Sequence, residues 1–191
     1  MRVLAPEVAH RVAAGEVIER PASEVKELIE NSLDEGATRV EVEIAGGGIS
    51  LIRVRDEGSG MSPDEAESAV ARHATSKIRS SDDLGRVDTL GFRGEVLHTI
   101  GAVSSLVLTT CESGATLGAR VRVFGGEAVE SGPAAHPSET TVEVLELFLN
   151  LPVRRGFWER SGLRRTQLRT TGLPFSVRLC PDGLATVRLI A

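Results

Sequence analysis

The order of two periodicities in the sequence predicts an α+β fold, with helices packed on one face of a sheet. Near the N-terminus apolar residues recur at helical spacing, at Val25, Leu28, Ile29 and Leu33, which stacks them on one side of a helix. Farther on, segments such as RVEVEIA (39–45), SSLVLTTCE (104–112) and LGARVRVF (117–124) alternate apolar and polar residues, the pattern of strands with one buried face. Single glycines, not linkers, separate these segments and no internal repeat occurs, so the 191 residues read as one unit.

In chain order, the first helix is expected over residues 6–17. The second starts at Pro21, a residue suited to the first helical position, and stops at Gly36. RVEVEIA and ISLIRVRD (49–56) form a hairpin across Gly46, Gly47 and Gly48. PDEAESAVARH (63–73) is a short helix, a polar loop runs to Gly91, and another helix covers 93–101. SSLVLTTCE, LGARVRVF, EAVESG (127–132) and TTVEVLEL (140–147) then suggest an antiparallel meander. Helices first and strands after is the α+β order.

Composition narrows the function classes. With 41% hydrophobic residues the chain can bury a sizeable core. Cys111 and Cys180 lie far apart with no CxxC pair or histidine cluster, which predicts neither a disulfide framework nor a zinc site and suits a reducing cytoplasm. Charges at Arg2, Glu7, Arg11 and Glu16 exclude a signal peptide, and no stretch is long enough to cross a membrane. The net charge of −5 hides an asymmetry: residues 1–153 carry 14 Lys and Arg against 25 Asp and Glu, whereas 154–191 carry 8 against 2. The apolar, strand-like close ATVRLIA (185–191) predicts a chain that continues in a longer protein.

Three short elements carry chemistry. Glu27 and Asn31 are four residues apart on the second helix, hence roughly 40° apart around its axis, on the side opposite the apolar stripe. A carboxylate there can deprotonate a water, and an amide oxygen can ligate a hard cation such as Mg²⁺ that bridges phosphates. By itself the helix reads first as a solvated face shared with Glu30 and Asp34. In RVRDEGSGM, Asp56 ends a buried-looking strand, and Gly58 and Gly60 permit a tight turn beside it. Such a carboxylate can accept a hydrogen bond from an adenine amino group, although the same words also spell an ordinary strand-to-turn junction. In LGFRGEVL (90–97), Gly91 and Gly94 flank Phe92 and Arg93 immediately before a helix, where free N–H groups make a phosphate cradle. Thr75, Ser76 and Lys77 of ARHATSKI (71–78) are further phosphate contacts. Neither GxxxxGK[ST] nor GxGxxG occurs, so P-loop and Rossmann phosphate binding are unsupported.

Taken in order, GEVIERPASEVKELIENSLDEGATRVEVEI (15–44), RDEGSGM (55–61), RHATSKI (72–78) and LGFRGE (90–95) resemble the MutL family of GHKL ATPases, whose relatives include type II topoisomerases, heat-shock chaperones and histidine kinases. The resemblance runs from residue 1 to about residue 157, and ATSK and GFRGE separate it from the other GHKL branches. It implies a two-layer Bergerat ATP-binding sandwich over 1–191, with a mixed, mostly antiparallel sheet and helices on one face. Residues 1–20 would be an N-terminal arm and 72–95 an ATP lid.

The resemblance also implies roles. Glu27 is the base that activates the attacking water, Asn31 the Mg²⁺ ligand and Asp56 the adenine reader, with Gly58 and Gly60 at the nucleotide. Thr75, Ser76, Lys77, Gly91, Phe92, Arg93, Gly94 and Glu95 belong to the lid, and Thr140 and Thr141 form the threonine pair supporting the adenine-reading Asp. The implied cofactors are ATP and Mg²⁺. The implied partners are DNA with little sequence preference, a second copy in an ATP-dependent homodimer of the full-length protein, and the mismatch-recognition protein MutS, in the bacterial cytoplasm at the nucleoid and not at a membrane. Relatives also bring a phosphate-contacting lysine from a downstream domain, so these residues alone are expected to be a weak ATPase.

The sequence departs from the family at Glu139, where a glycine is usual, and at Val96 and His98, where smaller residues are usual. Arg154, Arg155, Arg160, Arg164, Arg165 and Arg169, with the single acid Glu159 among them, form the only strongly basic stretch and read either as a phosphate-backbone contact or as a seat for another domain. Two other functions are open. A non-catalytic scaffold is disfavoured by the presence of Glu27, and a kinase would need a phosphoacceptor histidine domain.

Overall fold

The computed structural model describes residues 17–71, 95–160, 175–179 and 185–190. It consists of α1 (Pro21–Asp34), β1 (Arg39–Ala45), a 3₁₀ turn at Gly46–Gly48, β2 (Leu51–Asp56), α2 (Pro63–Val70), α3 (Val96–Ala102), β3 (Ser105–Thr110), β4 (Gly118–Phe124), β5 (Glu127–Ala134), β6 (Thr140–Leu145), α4 (Pro152–Arg160), β7 (Phe175–Leu179) and β8 (Ala185–Ile190). The strands form one sheet in the order β5-β4-β3-β6-β2-β1-β8-β7. This is the α+β, two-layer arrangement expected. Every pairing among the described strands is antiparallel, which narrows the mixed sheet expected above.

The elements follow from local chemistry. Pro21 opens α1, where its missing N–H has no intrahelical partner to lose. Ser62 and Glu65 close a reciprocal capping box around α2, the serine hydroxyl accepting from the Glu65 N–H and the glutamate accepting from the Ser62 N–H. The β1–β2 hairpin turns at three glycines with positive φ, Gly46, Gly47 and Gly48. β3, β4 and β5 are the expected meander, but the fourth segment does not extend it. β6 returns to pair with β3 on one side and β2 on the other. An inserted β6 has two hydrogen-bonded neighbours, whereas at the β5 edge it would have had one.

Alternation places Val40, Val42, Ile44, Ile52, Val54, Val142 and Val144 on the face covered by Val25, Leu28 and Ile29 of α1, Ala66 and Val70 of α2, and Ile100 and Ala102 of α3. The other face is charged. There Arg53 lies between Glu143, at 2.7 Å, and Glu43, and Arg55 reaches Glu139 at 2.7 Å.

At the end of the sheet remote from Asp56, the segment after β6 ties three elements together. Leu147 N donates to Ile49 O, Leu149 N to Val103 O, and Asn150 Nδ2 to Ala102 O at 2.8 Å. Glu146 (φ 53) and Phe148 (φ 65) hold left-handed conformations unfavourable for side-chain-bearing residues. Complete burial of the Phe148 ring offsets that strain, with the Arg154 guanidinium 5.6 Å from its centroid. Phe148→Ala is therefore expected to lower unfolding stability by about 3–5 kcal/mol, read by urea denaturation. A loss below about 1 kcal/mol would show that the ring does not hold this segment.

Candidate nucleotide site

Asp56 is the last residue of β2, on the helix-covered face, and is 6% exposed. Both its oxygens are held. Ser32 Oγ of α1 donates to Oδ2 at 2.8 Å, and the Gly58 N–H donates to Oδ1 at 3.0 Å. Burial raises its pKa, while the bonds from Ser32 and Gly58 pull it down. The turn that follows requires its glycines: a Cβ on Gly60, at φ +69, would lie 2.0 Å from Cys111 O, and one on Gly58 2.9 Å from Asp56 Oδ1. Ser59 N donates to Glu35 O and Ser113 N to Ser59 O, so the turn is fixed between the end of α1 and the end of β3.

Register sets the row beside Asp56. It pairs with Thr140, which pairs with Thr110. The two hydroxyls share a hydrogen bond of 2.8 Å, and Thr110 Oγ1 also accepts from the Met61 N–H. Asp56, Thr140 and Thr110 thus form a polar strip at one end of an otherwise apolar face. Of the threonine pair only Thr140 belongs to it. Thr141 follows by one residue and so faces the opposite side of the sheet. It lines a concavity of about 400 Å³ there with Arg53, Arg55, His136 and Glu139. Glu139 does not displace Thr140: its side chain turns to Arg55, and its carbonyl accepts from Cys111 N at 3.1 Å.

Glu27 and Asn31 are half-buried on α1. Lys26 and Glu30 pair at 2.7 Å on the outer side of the helix. Among the described residues no group of three His, Cys, Asp or Glu side chains could cage a metal. A hard cation at Asn31 would take its remaining oxygens from phosphates and water, the coordination that Mg²⁺ prefers, so the donor set fits a nucleotide-bridging ion. Glu95 caps α3. Val96 and Leu97 pack against the core, and His98 Nδ1 lies 3.3 Å from Val70 O. Thr75, Ser76, Lys77, Gly91, Phe92, Arg93 and Gly94 lie outside the described residues, as do 1–16 of the arm and Arg164, Arg165 and Arg169.

Residues 19–145 match the family of histidine kinase-, DNA gyrase B- and HSP90-like ATPases. The chain belongs to that ATPase family. Within it the similarity is to MutL: the DNA mismatch repair protein MutL of Xanthomonas oryzae pv. oryzae is 55% identical over 157 residues, 82% of this chain and 25% of that protein. The chain spans about a quarter of the length of the curated relatives it matches. Among solved structures, the N-terminal domain of a DNA repair protein superposes with a TM-score of 0.67 at 30% identity, covering 82% of this chain and 44% of that one. The Aquifex aeolicus MutL ATPase domain complexed with ADP has a TM-score of 0.54 at 35% identity, covering 76% and 52%.

Three members of the site escaped the sequence reading. Ser32 and Thr110 looked like ordinary members of an amphipathic helix and a strand. The signal for Ser32 was its place in the buried stripe, one turn after Leu28. Glu24 is the third: it sits one turn before Glu27 and is 7% exposed, and its pKa is pushed up to about 7, first by burial and then by Glu27. The folded chain keeps this proton where the unfolded chain has released it, so the contribution to stability is fully present below about pH 4.5 and is lost as pH rises through about 7. Wild type is expected to lose up to about 3 kcal/mol between pH 5 and 8 from this group. Glu24→Gln should be free of that loss. Equal pH dependence of thermal unfolding in the two proteins would show that Glu24 is not held protonated.

Proposed function

We propose that the chain binds Mg²⁺-ATP and hydrolyses it slowly, as a nucleotide-driven dimerisation switch in DNA mismatch repair. The observation that carries this reading is Asp56, a buried carboxylate fixed by Ser32 and Gly58 on the face covered by the helix that bears Glu27 and Asn31. The ADP complex of the similar Aquifex aeolicus domain supports it. With Ser32 and Gly58 each taking one direction of approach, Asp56 keeps lone pairs for an exocyclic amino group, which selects adenine. Thr140 and Thr110 add hydroxyls beside the ring.

Farther along α1, Asn31 holds the cation, which supplies charge neutralisation across the phosphates when bound. Glu27 orients a water and takes its proton. Gly58 and Gly60 let the backbone approach the nucleotide. Thr75, Ser76, Lys77, Gly91, Phe92, Arg93, Gly94 and Glu95 form the lid over the phosphates, and residues 1–20 form the arm through which two copies associate once ATP is bound. The longer protein cooperates with MutS in the bacterial cytoplasm.

Asn31→Ala and Asp56→Ala are expected to abolish Mg²⁺-ATP binding in an equilibrium titration, whereas Glu27→Ala spares binding and removes turnover. A ligand and a ring reader act on the bound ground state, and a water-orienting carboxylate acts mainly in the transition state. Unchanged hydrolysis in Glu27→Ala would sink the assignment of the base.

DNA is the second proposed ligand, held through phosphates with little sequence preference. Arg155 is already paired with Glu146 and Glu159, and Arg154 lies over Phe148. The contact is therefore assigned to the later arginines of the stretch. Changing Arg164 and Arg165 together to Glu should weaken binding to all duplexes alike and flatten the salt slope by about two units. An unaltered affinity at low salt would place the contact elsewhere.

A further inference from the structure

Around the axis of α1 the side chains divide into two arcs. At about 100° per residue, Pro21, Val25, Leu28, Ile29 and Ser32 fall on the sheet side, where they are buried or nearly so. Glu27 and Asn31 fall on the nucleotide side. Glu24 falls on the border, roughly 60° from Glu27 and 20° from Asn31. It precedes Glu27 by about 4.5 Å along the axis and Asn31 by about 10 Å, next to the base and out of reach of the cation ligand. It is 7% exposed and makes no hydrogen bond or ion pair with any described residue. Burying a carboxyl is costly unless it is paired or carries its proton.

We infer that Glu24 is a positioning residue for hydrolysis, whose charge state sets both the basicity of Glu27 and the affinity of the site for the nucleotide phosphates. The inference rests on the reading of Glu27 as the base. In that step the water oxygen bonds to the γ-phosphorus and its proton passes to Glu27. The bond from phosphorus to the bridging oxygen breaks, leaving its electron pair on ADP. A second negative charge one turn away strengthens the hold of Glu27 on that proton, and the same charge repels the triphosphate. Neutral Glu24 has the opposite effects. Charge on Glu24 thus speeds the chemical step and weakens binding.

Among the described residues few other charges face Glu24. β1 and β2 meet α1 with Val40, Val42, Ile44, Ile52 and Val54, and Asp56 lies at the far end beside Ser32. The 3₁₀ turn contributes only glycines. α3 brings Glu95 and His98, the latter with Nδ1 toward Val70 O. At the start of α1, Glu19 and Arg20 are exposed. Among the described residues Glu27 is the charged group that shifts the titration of Glu24, after burial, which sets it near neutrality, where a modest change of pH moves it.

The test compares wild type with Glu24→Gln, which fixes the neutral form with little change of shape. Mg²⁺-ATP affinity by equilibrium titration and single-turnover hydrolysis with protein in excess are measured from pH 6 to 8.5. The terminal phosphate of ATP titrates in a similar range, so the difference between the two proteins is what reports on Glu24. In wild type, affinity should fall about three- to tenfold more across this range than in Glu24→Gln, while the hydrolysis rate rises through a midpoint near 7 that the variant lacks. A purely structural role would lower both quantities at every pH. That outcome, or the same pH slopes in both proteins, overturns the inference. If wild type and Asn31→Ala bind Mg²⁺-ATP equally, or neither binds, the nucleotide-site reading fails instead.

Discussion

Desolvating a carboxylate is among the most unfavourable steps in building a protein interior, and the environment of Asp56 makes it tolerable. Each oxygen keeps one donor, Ser32 Oγ from the helix and the Gly58 N–H from the turn, so burial leaves neither bare. Those two bonds dictate much of the surroundings. The first requires α1 to cross β2 with Ser32 at the strand's end. The second requires a tight turn after Asp56, which brings Gly60 so close to Cys111 O that no side chain fits. The helix, the strand and the β3 terminus are thereby locked into one geometry around a single carboxyl group.

The two-residue period of the strands then decides what stands beside it. Asp56, Thr140 and Thr110 share a face because they are in register across three antiparallel strands. A shift of one residue would replace this row by Arg55, Thr141 and Thr109. The charged opposite face resists such a shift, because Arg53 and Arg55 would have to leave Glu43, Glu143 and Glu139 for an apolar core. Those ion pairs are half-exposed and individually weak. Their larger effect is on register. Arg53 and Arg55 are held there by carboxylates, whereas Arg120 and Arg122 of β4 are exposed on the same face with no ion pair to a described residue.

Local pattern made most of the fold legible. The period-two runs located β1, β2, β3, β4 and β6, and Pro21 and Gly36 bounded α1 closely. Pairing order was less legible, because TTVEVLEL alternates equally well at a sheet edge or at its centre. Only the competition of β2 and β3 for both of its edges places β6 between them. Spacing singled out Glu27, Asn31 and Asp56, and the fold puts the first two half-buried on α1 and Asp56 buried at the end of β2. The site was illegible where a role depends on which face of a strand a residue meets, which separates Thr140 from Thr141. Ser32 and Thr110 went unrecognised for the same reason: a hydroxyl has no distinctive spacing, and its partner lies on another element.

α1 carries two incompatible demands along one axis. Its sheet side must be apolar to hold the helix down, and its opposite side carries the polar Glu27, Glu30 and Asn31. At 3.6 residues per turn the two arcs adjoin, so some position has to fall on the seam. Glu24 does, whereas Ser32 is polar within the sheet side and is satisfied there by bonds to Leu28 O and Asp56. Glu24 has no such partner among the described residues, and burial, with Glu27 beside it, pushes its pKa up to about 7. A valine or leucine there would satisfy the core better and free the site of a neighbouring charge. The glutamate therefore lowers stability above neutral pH, and among the described residues the charged group it acts upon is Glu27, one turn away.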